Sequence, residues 1–337
     1  MKKVAINGLG RIGKMVLWHY VLNRPKNVEI CVANGGSGTA EDLAYMLKFD
    51  SVHGRFPVEI EYGEDYLQVG DQKITLVTGR DPAKLPWKEL GVDIVLECTG
   101  KFTKRADAAK HLEAGAKKVI ISAPSKDAEL TVVMGVNHDW YDPAKHDVIS
   151  NASCTTNCLA PAIKVLHDAF GIESALVTTV HAYTSSQVTV DAKKPGKHRR
   201  GRAAAQNIIP TSTGAAIATT KVIPELEGKM NAMALRVPVP DVAITDINAT
   251  LKRDVTAQEV NEAFEAAMQG SLKGILEITY EEVVSTDIIN NPHSSIVDGL
   301  STMVVDGNKV KVFSWYDNEF GYSGRLLEMA DYIAERM

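Results

Sequence analysis

The chain reads as an α/β plus α+β protein: a Rossmann-type parallel-sheet domain with a second, largely antiparallel-sheet catalytic domain. Three observations predict this. A strand, a glycine turn, a helix and a strand follow one another within residues 3–33, which is a βαβ unit with its right-handed crossover. Apolar runs and helical patterns alternate as far as residue 153, and beyond it long alternating strands follow with few helices between them. The length, 337 residues, exceeds the usual size of one hydrophobic core.

Residues 3–7 form a short apolar strand that stops at glycines. Ile12, Met15, Val16, Trp18, Tyr20 and Val21 then share a helical face that ends near Asn23 to Pro25, and residues 28–33 form a strand rich in β-branched side chains. Further strands are expected at 73–77, 93–98, 118–122, 131–134 and 148–151, with helices at 39–47 and 104–114. After residue 153 a helix at 155–169 leads into strands at 174–183, 230–237, 242–251, 295–297, 302–305 and 309–316. A helix at 256–269 lies among them, and a closing helix at 324–337 returns to the first domain. The expected division is 1–153 with 319–337 as the dinucleotide-binding domain and 154–318 as the catalytic domain.

Composition narrows the function classes. Hydrophobic residues make up 45% and charged residues 23%, an ordinary globular balance, and the net charge of −5 gives no footprint for nucleic acid or an anionic membrane. No run reaches the ~18–20 apolar residues of a membrane helix. Met1-Lys2-Lys3 enters a strand at once, so no signal peptide is expected. Cys31, Cys98, Cys154 and Cys158 are expected to be reduced thiols in a cytoplasmic enzyme. Cys154 and Cys158 stand four apart, which is not the CxxC of a redox or zinc site, and no metal site is expected.

Gly8-Leu9-Gly10-Arg11-Ile12-Gly13 matches GxGxxG between a strand and a helix. The first glycine allows the turn, the second lets backbone approach a pyrophosphate, and the third permits close packing, with the helix N-terminus favouring the anion. The second strand of such a unit ordinarily ends in an acid that binds the adenine ribose. Here Asn34-Gly35-Gly36-Ser37-Gly38 stands there instead, and the nearest carboxylate is Glu41. With the repulsive charge gone, and Ser37 and glycine backbone able to donate, NADP use or dual NAD/NADP use is expected.

Ser153-Cys154-Thr155-Thr156-Asn157-Cys158 opens the helix after residue 153, and His181 follows on an alternating strand. A thiol at a helix start is in a setting that favours a negative sulfur, and an imidazole nearby can form an ion pair with it or accept its proton. Thiol nucleophile plus hydride acceptor reads as covalent oxidation of an aldehyde. Cys158, one helical turn on, reads as structural.

The chain resembles the phosphorylating (type I) glyceraldehyde-3-phosphate dehydrogenase family along essentially its whole length. The likeness is carried by Ile6 to Gly13, by Asp50-Ser51-Val52-His53-Gly54, by Glu97-Cys98-Thr99-Gly100 and by Ser150 to Cys158. It continues through His181-Ala182-Tyr183-Thr184, Pro210 to Ala216, Leu235-Arg236-Val237-Pro238 and Ser314 to Glu319. The resemblance implies oxidation of D-glyceraldehyde 3-phosphate to 1,3-bisphosphoglycerate through a thioester on Cys154, with His181 as base and inorganic phosphate as the second substrate. It implies Thr184 and Arg236 on the substrate phosphate, and Ser153, Thr213 and Gly214 on the attacking phosphate, with Thr155 beside them. It also implies Asn318, Tyr322, Thr99 and Gly100 around the cofactor, and a homotetramer.

Lys193 opens a basic run, Lys193 to Arg202, where NAD-using members commonly carry proline; a lysine there agrees with NADP use. A nucleic-acid role for the run is disfavoured because no aromatic residues interleave it. Two other readings stand beside the main one: an erythrose-4-phosphate dehydrogenase, and a non-catalytic dinucleotide sensor or scaffold.

Overall fold

Hydrophobic pattern and turn chemistry divide the chain into two compact units in the computed structural model, which describes residues 1–337. Met1–Val132, Asn137–Ser153 and Tyr322–Met337 form one, and Val133–Val136 with Cys154–Gly321 form the other.

The first unit is built on a nine-stranded sheet. Its parallel part runs Leu130–Thr131, Val148–Ser150, Lys118–Ile121, Ile94–Glu97, Lys2–Asn7, Val28–Asn34 and Gln72–Val77. Val4, Ile6, Ile94 and Leu96 in the central strands are fully buried, as expected of strands covered on both faces. The helix Arg11–Asn23 follows the glycine turn, and Ala40–Lys48 is closed by a capping box in which Thr39 and Asp42 exchange hydrogen bonds. Two expectations are corrected. The strand at 131–134 shrinks to Leu130–Thr131, while Val133–Val136 joins the second unit. The helix at 104–114 is two short pieces, Arg105–Ala108 and Lys110–Glu113. Two antiparallel strands at the edge, Ile60–Tyr62 and Tyr66–Val69, were not read from the sequence because they are short and half charged or polar.

The second unit carries an eight-stranded sheet that is mostly antiparallel, as expected. One of its parallel pairs matters for chemistry: Ile172–Ala182 lies beside Met230–Val237 with His181 opposite Arg236. Ile209–Ser212, missed in the sequence reading, adds antiparallel to the far side of Met230–Val237. The helices Cys154–Phe170 and Ala257–Gln269 pack with this sheet, and the second begins with a capping box between Thr256 and Glu259.

Candidate active site

The glycine turn shapes a cleft of about 600 Å³ in the first unit, lined among others by Gly8, Gly10, Asn34, Gly36, Ser37 and Thr99. Gly8 has φ +105° and a Cβ there would sit 3.0 Å from the Thr99 methyl, while a Cβ on Gly13 would stand 2.1 Å from the Gly8 carbonyl oxygen. Nothing lies within 4 Å of the Cβ position of Gly10, the side on which a ligand can approach the backbone. The helix Arg11–Asn23 has no side-chain cap and no acid in its first turn, so its leading N–H groups suit an anion. These residues fit a dinucleotide pyrophosphate.

Several cofactor candidates take roles other than direct contact through the side chain. Arg11 turns its guanidinium onto Asp50, and both Arg11 and Ile12 lie in the first turn of the helix Arg11–Asn23. Asn34 is 4% exposed and its amide bonds Asn7 Oδ1 at 2.7 Å, Gly79 O at 2.8 Å and Gly36 N at 3.1 Å. It shapes the cleft from within. A Cβ on Gly35 would meet Leu43 Cδ1 at 2.4 Å, so Leu43 occupies the space an acid would need. Gly100 adopts φ +68° in the turn after Thr99. Tyr322 is buried and donates to Ala152 O at 3.1 Å.

In the second unit, Cys154 is the first residue of the helix Cys154–Phe170. Its Sγ lies 3.6 Å from Nε2 of His181, so the two residues expected to act together do meet. The parallel register seats Arg236 beside the same imidazole, with Nη1 2.7 Å from Nδ1 and 2.8 Å from Ala182 O. Nδ1 is also 2.8 Å from Ala182 O. It can accept from Arg236 or donate to Ala182, but not both at once. Burial, then the Arg236 charge and more weakly that of Arg200, hold the His181 imidazolium down to about 3. Burial pushes the Cys154 thiol up, against the Arg236 charge and hydrogen bonds from Thr155. Both shifts favour the thiol and the neutral imidazole over the ion pair.

Thr155 is 5% exposed, and its hydroxyl lies 3.0 Å from Tyr316 Oη and hydrogen-bonds with the Cys154 thiol. Thr213 Oγ1 accepts from Ala215 N at 3.2 Å, and Gly214 caps the helix Ala215–Val222 with open space where its Cβ would be. Thr184 Oγ1 is 2.9 Å from Ser186 Oγ, and Ser186 Oγ accepts from Arg200 at 3.2 Å. Ser153, half-buried, directly precedes the nucleophile. Asn318 is 5% exposed with no protein partner for Oδ1, and Lys193 is exposed on the basic loop. Cys158 is buried against Ser314 Oγ at 3.4 Å and its thiol is pushed up to about 11 by burial, as a structural cysteine would be.

Two residues escaped the sequence reading. Arg200 joins the Thr184 side of the site, but a run of six lysines and arginines hid which one turned inward. Arg80 lines the glycine cleft, and its signal was its place just beyond Gln72–Val77, at the carboxyl end of a parallel strand.

The chain thus joins a glycine-turn α/β unit of the dinucleotide-binding class to a second unit that carries a thiol–imidazole–guanidinium cluster. Residues 2–105 match the family description "Glyceraldehyde 3-phosphate dehydrogenase, NAD binding domain", and residues 153–318 match "Glyceraldehyde 3-phosphate dehydrogenase, C-terminal domain". The chain is 53% identical over 336 residues to glyceraldehyde-3-phosphate dehydrogenase 2 of Bacillus subtilis, covering 99% of this chain and 97% of that one. It is 55% identical over 335 residues to the glyceraldehyde-3-phosphate dehydrogenase of Geobacillus stearothermophilus, covering 99% and 98%. To that of Streptomyces coelicolor it is 51% identical over 337 residues, covering 99% of each. The chain belongs to the glyceraldehyde-3-phosphate dehydrogenase family.

Proposed function

We propose that this chain catalyses the reversible, phosphorylating oxidation of D-glyceraldehyde 3-phosphate to 1,3-bisphosphoglycerate, and that it accepts NADP alongside NAD. The observation that carries the reading is the contact of Cys154 Sγ with His181 Nε2 at 3.6 Å, in a chain of this family.

Sulfur attacks the aldehyde carbon while the thiol proton passes to Nε2 of His181 and from there to the carbonyl oxygen, which gives the hemithioacetal hydroxyl and returns the imidazole to its neutral form. For Nε2 to accept, Nδ1 must carry the other proton and donate it to Ala182 O, a contact already in place at 2.8 Å. A substrate phosphate that draws the Arg236 guanidinium to itself favours this tautomer, because Arg236 then no longer donates to Nδ1. It also screens the charge that holds the imidazolium down. When bound, the nicotinamide supplies the acceptor for the hydride that leaves the hemithioacetal. His181 takes the hydroxyl proton as the C–O bond becomes the thioester carbonyl. Inorganic phosphate then attacks the thioester carbon, the C–S bond breaks, and the acyl phosphate departs. Thr184, Arg236 and Arg200 serve the substrate phosphate; Ser153, Thr213 and Gly214 serve the attacking one.

For the dinucleotide, the turn Gly8 to Gly13 holds the pyrophosphate, Asn318 offers Oδ1 to the carboxamide, and Tyr322, Thr99 and Gly100 complete its surroundings. Gly35, Ser37 and Lys193 are the residues assigned to acceptance of the 2′-phosphate. A homotetramer in the cytoplasm is the proposed working form. An apolar groove of about 360 Å³ lined by Leu176, Met303 and Val305 on the second unit's sheet supports contact with another copy.

The test is steady-state kinetics with glyceraldehyde 3-phosphate, with and without phosphate, with each dinucleotide in parallel. Phosphate-dependent acyl phosphate is the expected product; a free acid formed equally well without phosphate identifies the erythrose-4-phosphate type of enzyme instead.

A further inference from the structure

Beneath the glycine cleft runs a line of buried polar side chains that the proposed chemistry does not use. Glu97 is 1% exposed and its two oxygens accept four hydrogen bonds. Oε1 takes Thr99 N at 2.8 Å and the Thr99 hydroxyl; Oε2 takes Asn7 Nδ2 at 2.5 Å and faces His111 Nε2 at 3.1 Å. The direction of the last bond follows from Trp87. Its indole N–H can only donate and lies 2.9 Å from His111 Nδ1, so Nδ1 accepts and the proton sits on Nε2, facing Glu97.

The line continues on the other side. Asn7 Oδ1 accepts from Asn34 Nδ2, and Asn34 Oδ1 accepts from Gly36 N. Thr99 follows the strand Ile94–Glu97 and Gly36 follows Val28–Asn34, with Lys2–Asn7 between those strands. Both Thr99 and Gly36 line the cleft. Turning over either amide sets donor against donor, so the chain of bonds has one arrangement.

We propose that Glu97 is the positioning residue of the dinucleotide site. It fixes the Thr99 turn directly and the Gly36 turn through Asn7 and Asn34, and so holds the two at the spacing a bound dinucleotide requires. The proposal rests on the dinucleotide reading above. Glutamine at this position keeps the shape but must point its NH₂ either at Thr99 N–H or at the Asn7 and His111 N–H groups.

The experiment measures dissociation constants for NAD and NADP by calorimetry on the full-length protein, with kcat and both KM values on the same samples. Glu97→Gln is expected to weaken both dinucleotides at least tenfold, with kcat at saturation and KM for glyceraldehyde 3-phosphate within twofold of wild type. Asn34→Ala is expected to weaken them about fivefold, and the double variant to be no worse than Glu97→Gln alone by more than twofold, as members of one network behave. Dissociation constants in Glu97→Gln within twofold of wild type, losses that multiply in the double variant, or a lower kcat with unchanged binding each overturn the proposal. Should Glu97→Gln not fold, Asn34→Ala decides alone: at least fivefold weaker binding supports the relay and unchanged binding overturns it. Absence of binding by the wild-type protein overturns the dinucleotide reading itself, and this proposal with it.

Discussion

Arg236 and His181 face each other across one register position of a parallel strand pair, and the Arg236 Nη1 donor lies 2.7 Å from the imidazole Nδ1. The guanidinium thus sits on the nitrogen opposite the one that faces the thiol, where it both selects a tautomer and opposes protonation.

An anion that engages Arg236 should therefore free the base. We expect inorganic phosphate to speed alkylation of Cys154 by iodoacetamide at neutral pH by about three- to tenfold, the gain following from a thiol with more thiolate character. Peptide mass spectrometry identifies the labelled cysteine. In Arg236→Leu the phosphate response should vanish; a response of unchanged size there would show that Arg236 is not the gate.

Removing the nucleophile or the base separates chemistry from binding. Cys154→Ser is expected to lower kcat by more than about a thousandfold and His181→Asn by about a hundred- to ten-thousandfold, the range of a lost acid–base group. Dinucleotide affinity should stay within twofold in both. The pH–rate profile of His181→Asn should climb toward alkaline pH, because the thiol must then ionise unaided against the burial that pushes it up. An unchanged profile would remove His181 from the base role.

Cofactor choice should respond to changes at Lys193 and at Gly35. Lys193→Ala is expected to raise KM for NADP at least fivefold more than KM for NAD. Introducing the missing acid needs room, since Leu43 lies where the side chain would go, so Gly35→Asp is best paired with Leu43→Ala. That pair should turn the kcat/KM ratio toward NAD by at least tenfold through repulsion of a 2′-phosphate. A hundredfold preference for NAD in the unmodified enzyme contradicts the proposal of NADP acceptance.

Asp50 is a stability site. Its side chain has no exposure and meets Lys14 Nζ at 2.7 Å as well as the Arg11 guanidinium. Burial pushes its carboxyl up, but the hydrogen bonds from Arg11 and Lys14, with those of the His53 and Val52 N–H groups, outweigh it and hold it well below the usual carboxylate range. Because the folded value is depressed, the ion pair's contribution is present above the unfolded carboxylate value near ~4 and is lost as pH falls through the folded value. Asp50→Asn should cost about 3 kcal/mol near neutral pH, with Lys14 left buried and unpaired. The difference in denaturation midpoint between variant and wild type should shrink in acid. A pH-independent difference would assign the loss to packing.

Much of this was legible in the chain itself. The glycine turn, the nucleophile at the start of its helix and the histidine on an alternating strand are local patterns, so spacing of 3.6 or 2 residues reveals them. The inner strands of the first sheet stood out because burial on both faces makes them continuously apolar. The strands Ile60–Tyr62 and Tyr66–Val69 did not, since 3 and 4 residues are too few to show a period.

Sequence alone thus determined in what order the elements come and which residue types are proposed to carry the chemistry. Tertiary structure decided which of them face one another. It placed Arg236 on His181 across 55 residues of chain, turned Arg11 onto Asp50, sent the Asn34 and Thr155 side chains inward, and laid Leu43 where the ribose acid was missing. The reason is physical: pairing register and side-chain direction are settled by packing among segments far apart in sequence, and no local pattern of residues encodes them.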